Sequence, residues 1–151
     1  VAERNPDKGF VLLCIGEGPS LESQNNLRII HTGFLANRSK VASAIGILDL
    51  FVSMSIADTA PLAIAEARAS GVPIACNNAG GMSECTDSGR NGVLIDNLSD
   101  FESFISALAT DETLRRSYSE NARKFAKSRY SGSAVAKRYT DLYIDLLKKS
   151  I

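Results

Sequence analysis

Short apolar runs alternate with helical stretches along the first two thirds of the chain. Continuous apolar runs of strand length lie near residues 10–15, 28–31, 50–54, 73–76 and 93–95. Runs that are apolar at nearly every position are typical of strands buried on both faces of a parallel sheet. Asn37 can cap a helix in which Val41, Ala44, Ile45 and Leu48 share one face. The alternation predicts an α/β fold with a parallel sheet and right-handed crossovers.

Three helices are predicted after the last strand. Ser99 and Glu102 have the spacing of a capping box at the start of the first helix. Asp111 opens the second helix, and the third begins near Gly132. We expect the apolar residues at helical spacing in these helices to be core residues rather than stacking platforms. They are Phe101, Phe104, Ile105 and Leu108, then Leu114, Tyr118, Ala122 and Phe125, and finally Val135, Tyr139, Leu142 and Leu146.

A strand, a turn, a capped helix and a second strand follow one another in the stretch 50–74. Pro61 suits the first position of the helix, where its missing N–H is not needed, and Asp58 or Thr59 can cap it. Gly71 then ends the helix at the position where a left-handed conformation is common. The rest of the chain is interpreted as support for this stretch.

Glu66 lies five residues beyond Pro61, which corresponds to ~7–8 Å along a helix that rises ~1.5 Å per residue. This spacing fits a nucleoside diphosphate. The phosphates would meet the free N–H groups and the positive end of the helix dipole, while Glu66 accepts hydrogen bonds from two ribose hydroxyls. Asp58 would face the group that the diphosphate carries. The alternative is that Asp58 is only a helix cap and Glu66 only a solvated helix residue.

The segment beginning at Asp58 carries a wider pattern, Asp-Thr-Ala-Pro-Leu-Ala-Ile-Ala-Glu-Ala, followed by Gly-Val-Pro-Ile from Gly71. It resembles the donor-site signature of the retaining glycosyltransferases with the GT-B fold, especially family four. That family carries two acids separated by seven residues across a strand–helix turn. Pro61 departs from the family's usual Glu-Gly-Phe-Gly form and removes one backbone donor that a glycine would offer.

Further turns in the chain resemble the same family. Gly16-Glu-Gly-Pro follows the first strand like the family's Gly-Asp-Gly-Pro, before a helix that we expect to be shortened to roughly Ser20–Asn26. Thr-Gly33-Phe follows the second strand, and Asn-Asn-Ala-Gly80-Gly-Met-Ser-Glu resembles the family's Gly-Gly-x-x-Glu loop. Glycines allow a backbone to approach a ligand closely. Seen alone, these turns are equally consistent with ordinary strand-ending turns.

The resemblance implies that residues 1–151 form the C-terminal, donor-binding domain of a GT-B enzyme, with a Rossmann-like sheet and helices on both faces. Such an enzyme moves a sugar from a nucleotide sugar to an acceptor such as a glycan or a lipid-linked saccharide, without a metal or another cofactor. The implied catalytic residue is Asp58, and the implied donor-binding residues are Glu66, Thr59, Ala60, Leu62, Ala63, Gly16, Gly33, Phe34, Gly80 and Gly81.

The resemblance also implies what lies upstream of Val1. The first strand of the domain, the Arg and Lys that grip the diphosphate, and an N-terminal acceptor domain would all precede it. We therefore expect a fragment that lacks its first, central strand and is inactive alone. A sheet without that strand exposes two edges, which predicts self-association or poor folding.

Two other functions remain open. A non-catalytic Rossmann-like module that serves as a binding or assembly surface is favoured by Pro61 and by the missing strand. A nucleotide-sugar epimerase half would need acid–base residues near the sugar, and only Asp58 and His31 are available. His31 is interpreted as an ordinary strand residue because no acid, Cys or second His lies at ligand or triad spacing.

Composition narrows the partners and the compartment. The chain has 17 basic and 17 acidic residues, so it lacks the basic excess expected of a nucleic-acid-binding protein. Cys14, Cys76 and Cys85 show no CxxC spacing and are expected to be reduced residues of a cytoplasmic protein, which would reach a membrane surface only through the missing domain. No stretch approaches the ~18 apolar residues of a membrane span, and no signal peptide is visible.

Overall fold

The computed structural model describes residues 1–149, so the last two residues of the predicted domain lie outside it. Five strands occur in the described part of the chain, and each end of each strand lies within about one residue of its predicted position. They are β1 (Phe10–Cys14), β2 (Leu27–His31), β3 (Phe51–Ser53), β4 (Ile74–Asn77) and β5 (Gly92–Ile95). Every pairing between them is parallel, which confirms the predicted α/β class.

The strands form two sheets, one of β1 and β2 and one in the order β3-β4-β5. Among the described residues, β1 pairs only with β2 and β3 pairs only with β4, so each keeps one unpaired edge. The prediction of five parallel strands is confirmed, and they lie in two sheets that share no strand pairing among the described residues. Unpaired edges leave backbone N–H and C=O groups available to another strand.

The helices follow the predicted order. They are α1 (Arg38–Gly46), α2 (Leu62–Ala69), α3 (Met82–Cys85), α4 (Leu98–Thr110), α5 (Glu112–Tyr130) and α6 (Gly132–Lys149). Asn37 caps α1 by accepting from the backbone N–H of Ser39 at 2.8 Å, as predicted. Gly71 follows α2 with a φ of +80°, which confirms that it ends that helix.

The predicted capping box of Ser99 and Glu102 is wrong, because α4 begins earlier. Asn97 has an extended backbone, and its side chain accepts from the N–H of Asp100 at 3.0 Å. The Asn97 amide also donates to the Asp100 carboxylate at 2.9 Å. An asparagine at this position satisfies a free backbone donor as well as a serine does, so the helix starts at Leu98.

The predicted short helix at Ser20–Asn26 is absent. Gln24 and Leu27 instead exchange backbone hydrogen bonds, and the N–H of Leu21 donates to Nε2 of His31 at 3.3 Å. Leu21 is the one large apolar side chain of the segment, and it is half exposed. A segment of this length forms a stable helix only when it buries an apolar face, and this segment has none.

The three-stranded sheet has a separate apolar cluster on each face. Alternate residues of a strand point to opposite sides, so Ile74 and Cys76 of β4 face one cluster and Ala75 faces the other. The first cluster is built with α1, α2 and α3, and includes Ile45, Ile64, Ala67, Val72 and Met82. The second is built with Phe104 and Leu108 of α4. The predicted helices on both faces are therefore present around this sheet.

The expectation that the apolar residues of α6 belong to the core is wrong. Val135, Tyr139 and Leu142 share one face as predicted, but no residue described in α6 is buried. The reason is that α6 packs mainly against α5 and lies on no sheet. In residues 1–149, no helix is both long enough and apolar enough to cross a membrane.

Candidate functional site

The N-terminus of α2 lacks a side-chain cap. Pro61 itself occupies the cap position with φ −65° and ψ 117°, and no side chain bonds to the first turn. The prediction that Asp58 or Thr59 caps this helix is therefore wrong. The backbone N–H groups of Leu62 and Ala63 have no acceptor among the described residues, whereas that of Ile64 donates to the carbonyl of Pro61. Two free donors at the positive end of a helix favour an anion.

Asp58 is held in a turn just before this helix. Its carboxylate accepts from the backbone N–H of Ala60 at 3.1 Å, which explains why it does not reach the helix. Its carbonyl accepts from the N–H of Gly81 at 3.0 Å. Asp58 is half-buried, and one of its carboxylate oxygens is left without a partner in the described structure. Ala60 was predicted to bind the donor, but its backbone N–H already donates to Asp58, so Ala60 has no free donor for a ligand.

The two glycines after β4 lie against the backbone of this same turn. A Cβ at Gly80 would come within 2.7 Å of the Asp58 carbonyl oxygen, and Gly80 has a φ of +55°. A Cβ at Gly81 would overlap the carbonyl oxygen of Thr59. Only glycine permits so close a backbone approach. The structure thus brings Asp58, Thr59, Gly80 and Gly81 together, although they come from two separate sequence motifs.

Glu66 projects from the outer side of α2. Its neighbours Ile64 and Ala67 are fully buried against the first apolar cluster, whereas Glu66 is exposed. The Glu66 carboxylate has no hydrogen bond or ion pair with any described residue, so both of its oxygens are free to accept. Its position within the second turn of α2, beyond the free N–H groups of Leu62 and Ala63, matches the predicted spacing.

The residues predicted beside β1 and β2 form a second group. Gly16 and Gly33 both have positive φ, of +109° and +63°. The N–H of Gly16 donates to the carbonyl of Gly33 at 3.1 Å, which joins the ends of the two strands. Phe34 is 77% exposed. No hydrogen bond in the described residues connects this pair to the turn at Asp58.

Both groups nevertheless lie at equivalent places in their sheets. Gly16, Gly33, the turn after β3 and Gly80 all follow the carboxyl end of a parallel strand. Ligands of parallel α/β sheets bind beyond these strand ends. An open groove of about 440 Å³ elsewhere in the described residues contains none of the predicted site residues. This groove lies beside Asp49 and Pro73, at the amino ends of β3 and β4. Because ligands of such sheets bind at the carboxyl ends, the candidate site remains at the turns that follow the strands.

Sequence reasoning missed a buried polar cluster behind α2. Arg68 is 0% exposed, and its Nη2 donates to the Thr86 hydroxyl and to Oδ1 of Asn91, each at 3.2 Å. Burial lowers the pKa of the Arg68 guanidinium from its ordinary value, with nearby Tyr130 acting in the opposite sense. One signal was present in the sequence. Arg68 lies four residues after Ile64, on the apolar stripe of the helix.

His31 and the cysteines carry no site. His31 is exposed, and its ring accepts from a backbone N–H, as an ordinary strand residue would. Cys14, Cys76 and Cys85 are all free thiols, and burial raises the pKa of Cys76. Among residues 1–149, no group of three or more His, Cys, Asp or Glu side chains is placed to hold a metal ion.

Comparison with known proteins agrees with the sequence motifs. The family model of the glycosyl transferases group 1 matches residues 1–111. The chain is 32% identical to a D-inositol 3-phosphate glycosyltransferase of Corynebacterium kroppenstedtii, over 77% of this chain and 26% of that protein. It is 28% identical to an N-acetyl-alpha-D-glucosaminyl L-malate synthase of Bacillus anthracis, over 91% of this chain and 38% of that protein. The chain thus spans well under half the length of either relative.

Solved structures share the fold. Anabaena Alr3699/HepE, crystallised in complex with UDP, superposes with a TM-score of 0.67 at 21% identity, over 78% of this chain and 32% of that one. The C-terminal domain of a Francisella tularensis glycosyl transferase group 1 protein, LpcC, superposes with a TM-score of 0.61 at 24% identity, over 72% of this chain and 55% of that one. At these identities the likeness concerns the fold.

Proposed function

Because the chain belongs to the glycosyl transferases group 1 family, we propose that it is the donor-binding part of a retaining glycosyltransferase. In this proposal it holds a nucleotide sugar while the rest of the enzyme presents an acceptor such as a glycan or a lipid-linked saccharide. The relatives and solved neighbours named above support a sugar-transferring enzyme, and one neighbour was crystallised with UDP.

One observation carries the proposal. The uncapped start of α2, with the free N–H groups of Leu62 and Ala63, lies between two acids that have unused acceptor oxygens, Asp58 before it and Glu66 after it. A nucleoside diphosphate presents an anionic centre with hydroxyl groups on the ribose side. When it carries a sugar, hydroxyl groups flank the phosphates on both sides. Donors in the middle and acceptors on both sides are therefore complementary to a nucleotide sugar.

Each of these backbone and side-chain groups then has a definite role. The N–H groups of Leu62 and Ala63 meet the diphosphate, and Glu66 accepts from the ribose hydroxyls. Asp58, held by Ala60, and the close turn at Gly80 face the transferred sugar. An interaction with the sugar that strengthens as charge develops at the anomeric carbon lowers the barrier to transfer.

The nucleobase of the donor is proposed to lie against the ends of the β1–β2 sheet. Gly33 and Phe34 follow β2, and Phe34 exposes an aromatic ring on which a flat nucleobase can lie. Gly16, bonded to the carbonyl of Gly33, fixes the adjoining strand end. Contacts of this kind are made by backbone and by one ring face, so they fit several bases.

The test is calorimetric titration of the full chain with nucleoside diphosphates and with the corresponding nucleotide sugars. Wild type should bind both. Asp58→Ala should leave the affinity for the nucleoside diphosphate nearly unchanged and weaken only the nucleotide sugar, because Asp58 faces the sugar. Asp100→Ala, which removes a half-buried carboxylate at the start of α4, is the matched control and should bind both ligands as wild type does.

Two results would overturn the proposal. Equal losses for both ligands in Asp58→Ala would mean that the acids are assigned wrongly. Absence of binding for every nucleotide tested, with a folded protein, would favour a non-catalytic module that uses the same fold as an assembly surface.

A further inference from the structure

We propose that Arg68 is a positioning residue of the donor site, which fixes the Gly80–Gly81 turn relative to Glu66 without touching the ligand. This inference rests on the proposed function, since it concerns the same site. It is carried by the hydrogen bonds of the buried guanidinium described above and by the way α3 is attached to the protein.

Stability does not explain a charged group at this position. Arg68 is fully buried, it forms no ion pair, and its Nε and Nη1 have no hydrogen-bond partner among the described residues. Burying a charge without a counter-ion costs free energy, and an apolar side chain of similar length avoids that cost. A methionine would fill the same space next to Ile64 and Ala67. What a methionine cannot supply is the pair of hydrogen bonds made by Nη2.

Those two bonds hold the connection between α3 and β5 against α2. The Thr86 hydroxyl, at the C-terminal end of α3, accepts from Arg68 and lies 3.3 Å from the sulfur of Cys76 on β4. Asn91 Oδ1 accepts from Arg68 and from the backbone N–H of Asp87 at 3.1 Å. One guanidinium nitrogen thus joins α2 to both ends of the connection between α3 and β5.

The guanidinium is itself held in place. Its carbon lies 4.4 Å from the centroid of the Phe125 ring of α5, a distance at which a cation and an aromatic face attract. Arg129 lies over the same ring at 5.6 Å, but it is exposed and makes no side-chain hydrogen bond to the 86–91 segment. Arg129 therefore provides a matched control, since it shares the ring contact and lacks the link to α3.

The nucleotide end of the site, at Glu66, and the sugar end, at the Gly80–Gly81 turn, depend on Arg68 to different degrees. Helix α2 is anchored by Ile64 and Ala67, both 0% exposed, and by packing on α5, so Glu66 keeps its place without Arg68. Helix α3 has four residues, and Met82 is the only one that is buried. Its start carries Gly80 and Gly81, and its end is fixed through Thr86. Loss of Arg68 should therefore loosen the sugar end of the site and spare the nucleotide end.

The experiment measures two affinities in each variant of the full chain, one for a nucleoside diphosphate and one for its nucleotide sugar. Arg68→Met should lower the affinity for the nucleotide sugar by roughly threefold to thirtyfold, the usual range for a residue that acts through a packed network. Its affinity for the nucleoside diphosphate should stay within about twofold of wild type, a change too small to count as a lost hydrogen bond. Arg129→Met should change neither affinity.

Two further variants separate positioning from simple packing. Arg68→Lys should restore part of the nucleotide-sugar affinity, because both observed bonds come from one nitrogen and a lysine also has one. Thr86→Val removes an acceptor while keeping the side-chain volume, and it should show the same selective loss as Arg68→Met. Should Arg68→Met fail to fold, as judged by thermal melting, Thr86→Val and Arg68→Lys still decide the question.

The outcomes are distinct from those of the proposed function. If wild type binds no nucleotide, the proposed function fails. If wild type binds both ligands and the folded Arg68→Met and Thr86→Val variants bind them equally well, only the role of Arg68 is refuted. Equal losses for both ligands would show that Arg68 supports the fold in general.

Discussion

The two sheets of this chain differ in how well they are covered. In β4, the residues Ile74, Ala75 and Cys76 are all 0% exposed, because helices lie on both faces of the β3–β5 sheet. No residue of β1 or β2 is buried. The proposed sugar and phosphate end of the site is built on the covered sheet, and the proposed base end on the open one. We infer that the covered sheet supplies a rigid half of the site and the open sheet an adaptable half.

The largest expected effect concerns stability. Ile64→Ala should lower the free energy of unfolding by about 2–5 kcal/mol, because it leaves a cavity in a fully packed cluster. Val11→Ala in β1 removes a side chain that is 63% exposed, and should cost no more than about 0.5 kcal/mol. Denaturant unfolding of both variants measures the difference. Similar losses for the two would show that Val11 is buried in solution, for example against a second copy of the chain.

Nucleotide binding should depend on the covered half in particular. If Glu66 accepts from two ribose hydroxyls, Glu66→Ala should weaken nucleoside diphosphate binding by roughly 1.5–3 kcal/mol, a loss of about tenfold to a hundredfold. Glu120 is an exposed acid on α5, and its one ion pair within residues 1–149 is with Lys124 at 3.8 Å. Glu120→Ala therefore controls for the loss of a charge, and titration calorimetry should find its affinity unchanged. An unchanged affinity in Glu66→Ala would remove Glu66 from the site.

A smaller effect on stability is expected from a substitution at Gly33, in the turn after β2 of the open sheet. Gly33 has a φ of +63°, and a Cβ there would meet nothing within 4 Å. Gly33→Ala should therefore cost about 1–2 kcal/mol of stability through backbone strain alone. Gly18 is equally open but has no positive φ, so Gly18→Ala serves as the control and should be nearly neutral. Thermal melting compares them, and equal melting temperatures would show that the turn after β2 adapts freely.

The smallest effect concerns the unpaired edges. We expect the chain to associate weakly as its concentration rises, because β1 and β3 each leave one edge open. Val52 of β3 and Val11 of β1 are partly exposed apolar residues on these strands. Replacing either one with lysine should reduce the association seen by sedimentation, since charge blunts an edge. A wild-type chain that stays monomeric at all concentrations would contradict this prediction.

The strands were predictable because their pattern is strong and local. Each is a largely apolar run of three to six residues ended by glycine or polar residues, and each appears within about one residue of its predicted bounds. Burial was less predictable. The apolar stripe of α6 was expected in the core, but it finds no sheet to pack on. Periodicity shows which residues share a face, but what that face meets depends on the rest of the molecule.

The positions of the two acids relative to α2 were predictable, and their local bonding was less so. The spacing of Asp58 and Glu66 placed one acid on each side of the start of α2. The cap was assigned wrongly because Asp58 bonds to Ala60, two residues on, a competing arrangement that sequence alone does not separate from a helix cap. Arg68 was missed because arginine is normally an exposed residue, and its place on the apolar stripe of α2 does not by itself show that α5 covers it.

The close packing of the Gly80–Gly81 turn bears on how this protein can be re-engineered. In a mutant library aimed at the proposed sugar contacts, any residue other than glycine at position 81 places its Cβ against the carbonyl oxygen of Thr59. Every side chain has a Cβ and therefore makes the same collision, so we expect all such variants to be misfolded whatever their side-chain chemistry. Randomising the exposed side chain of Thr59 instead changes the surface beside Asp58 and keeps the backbone contact intact.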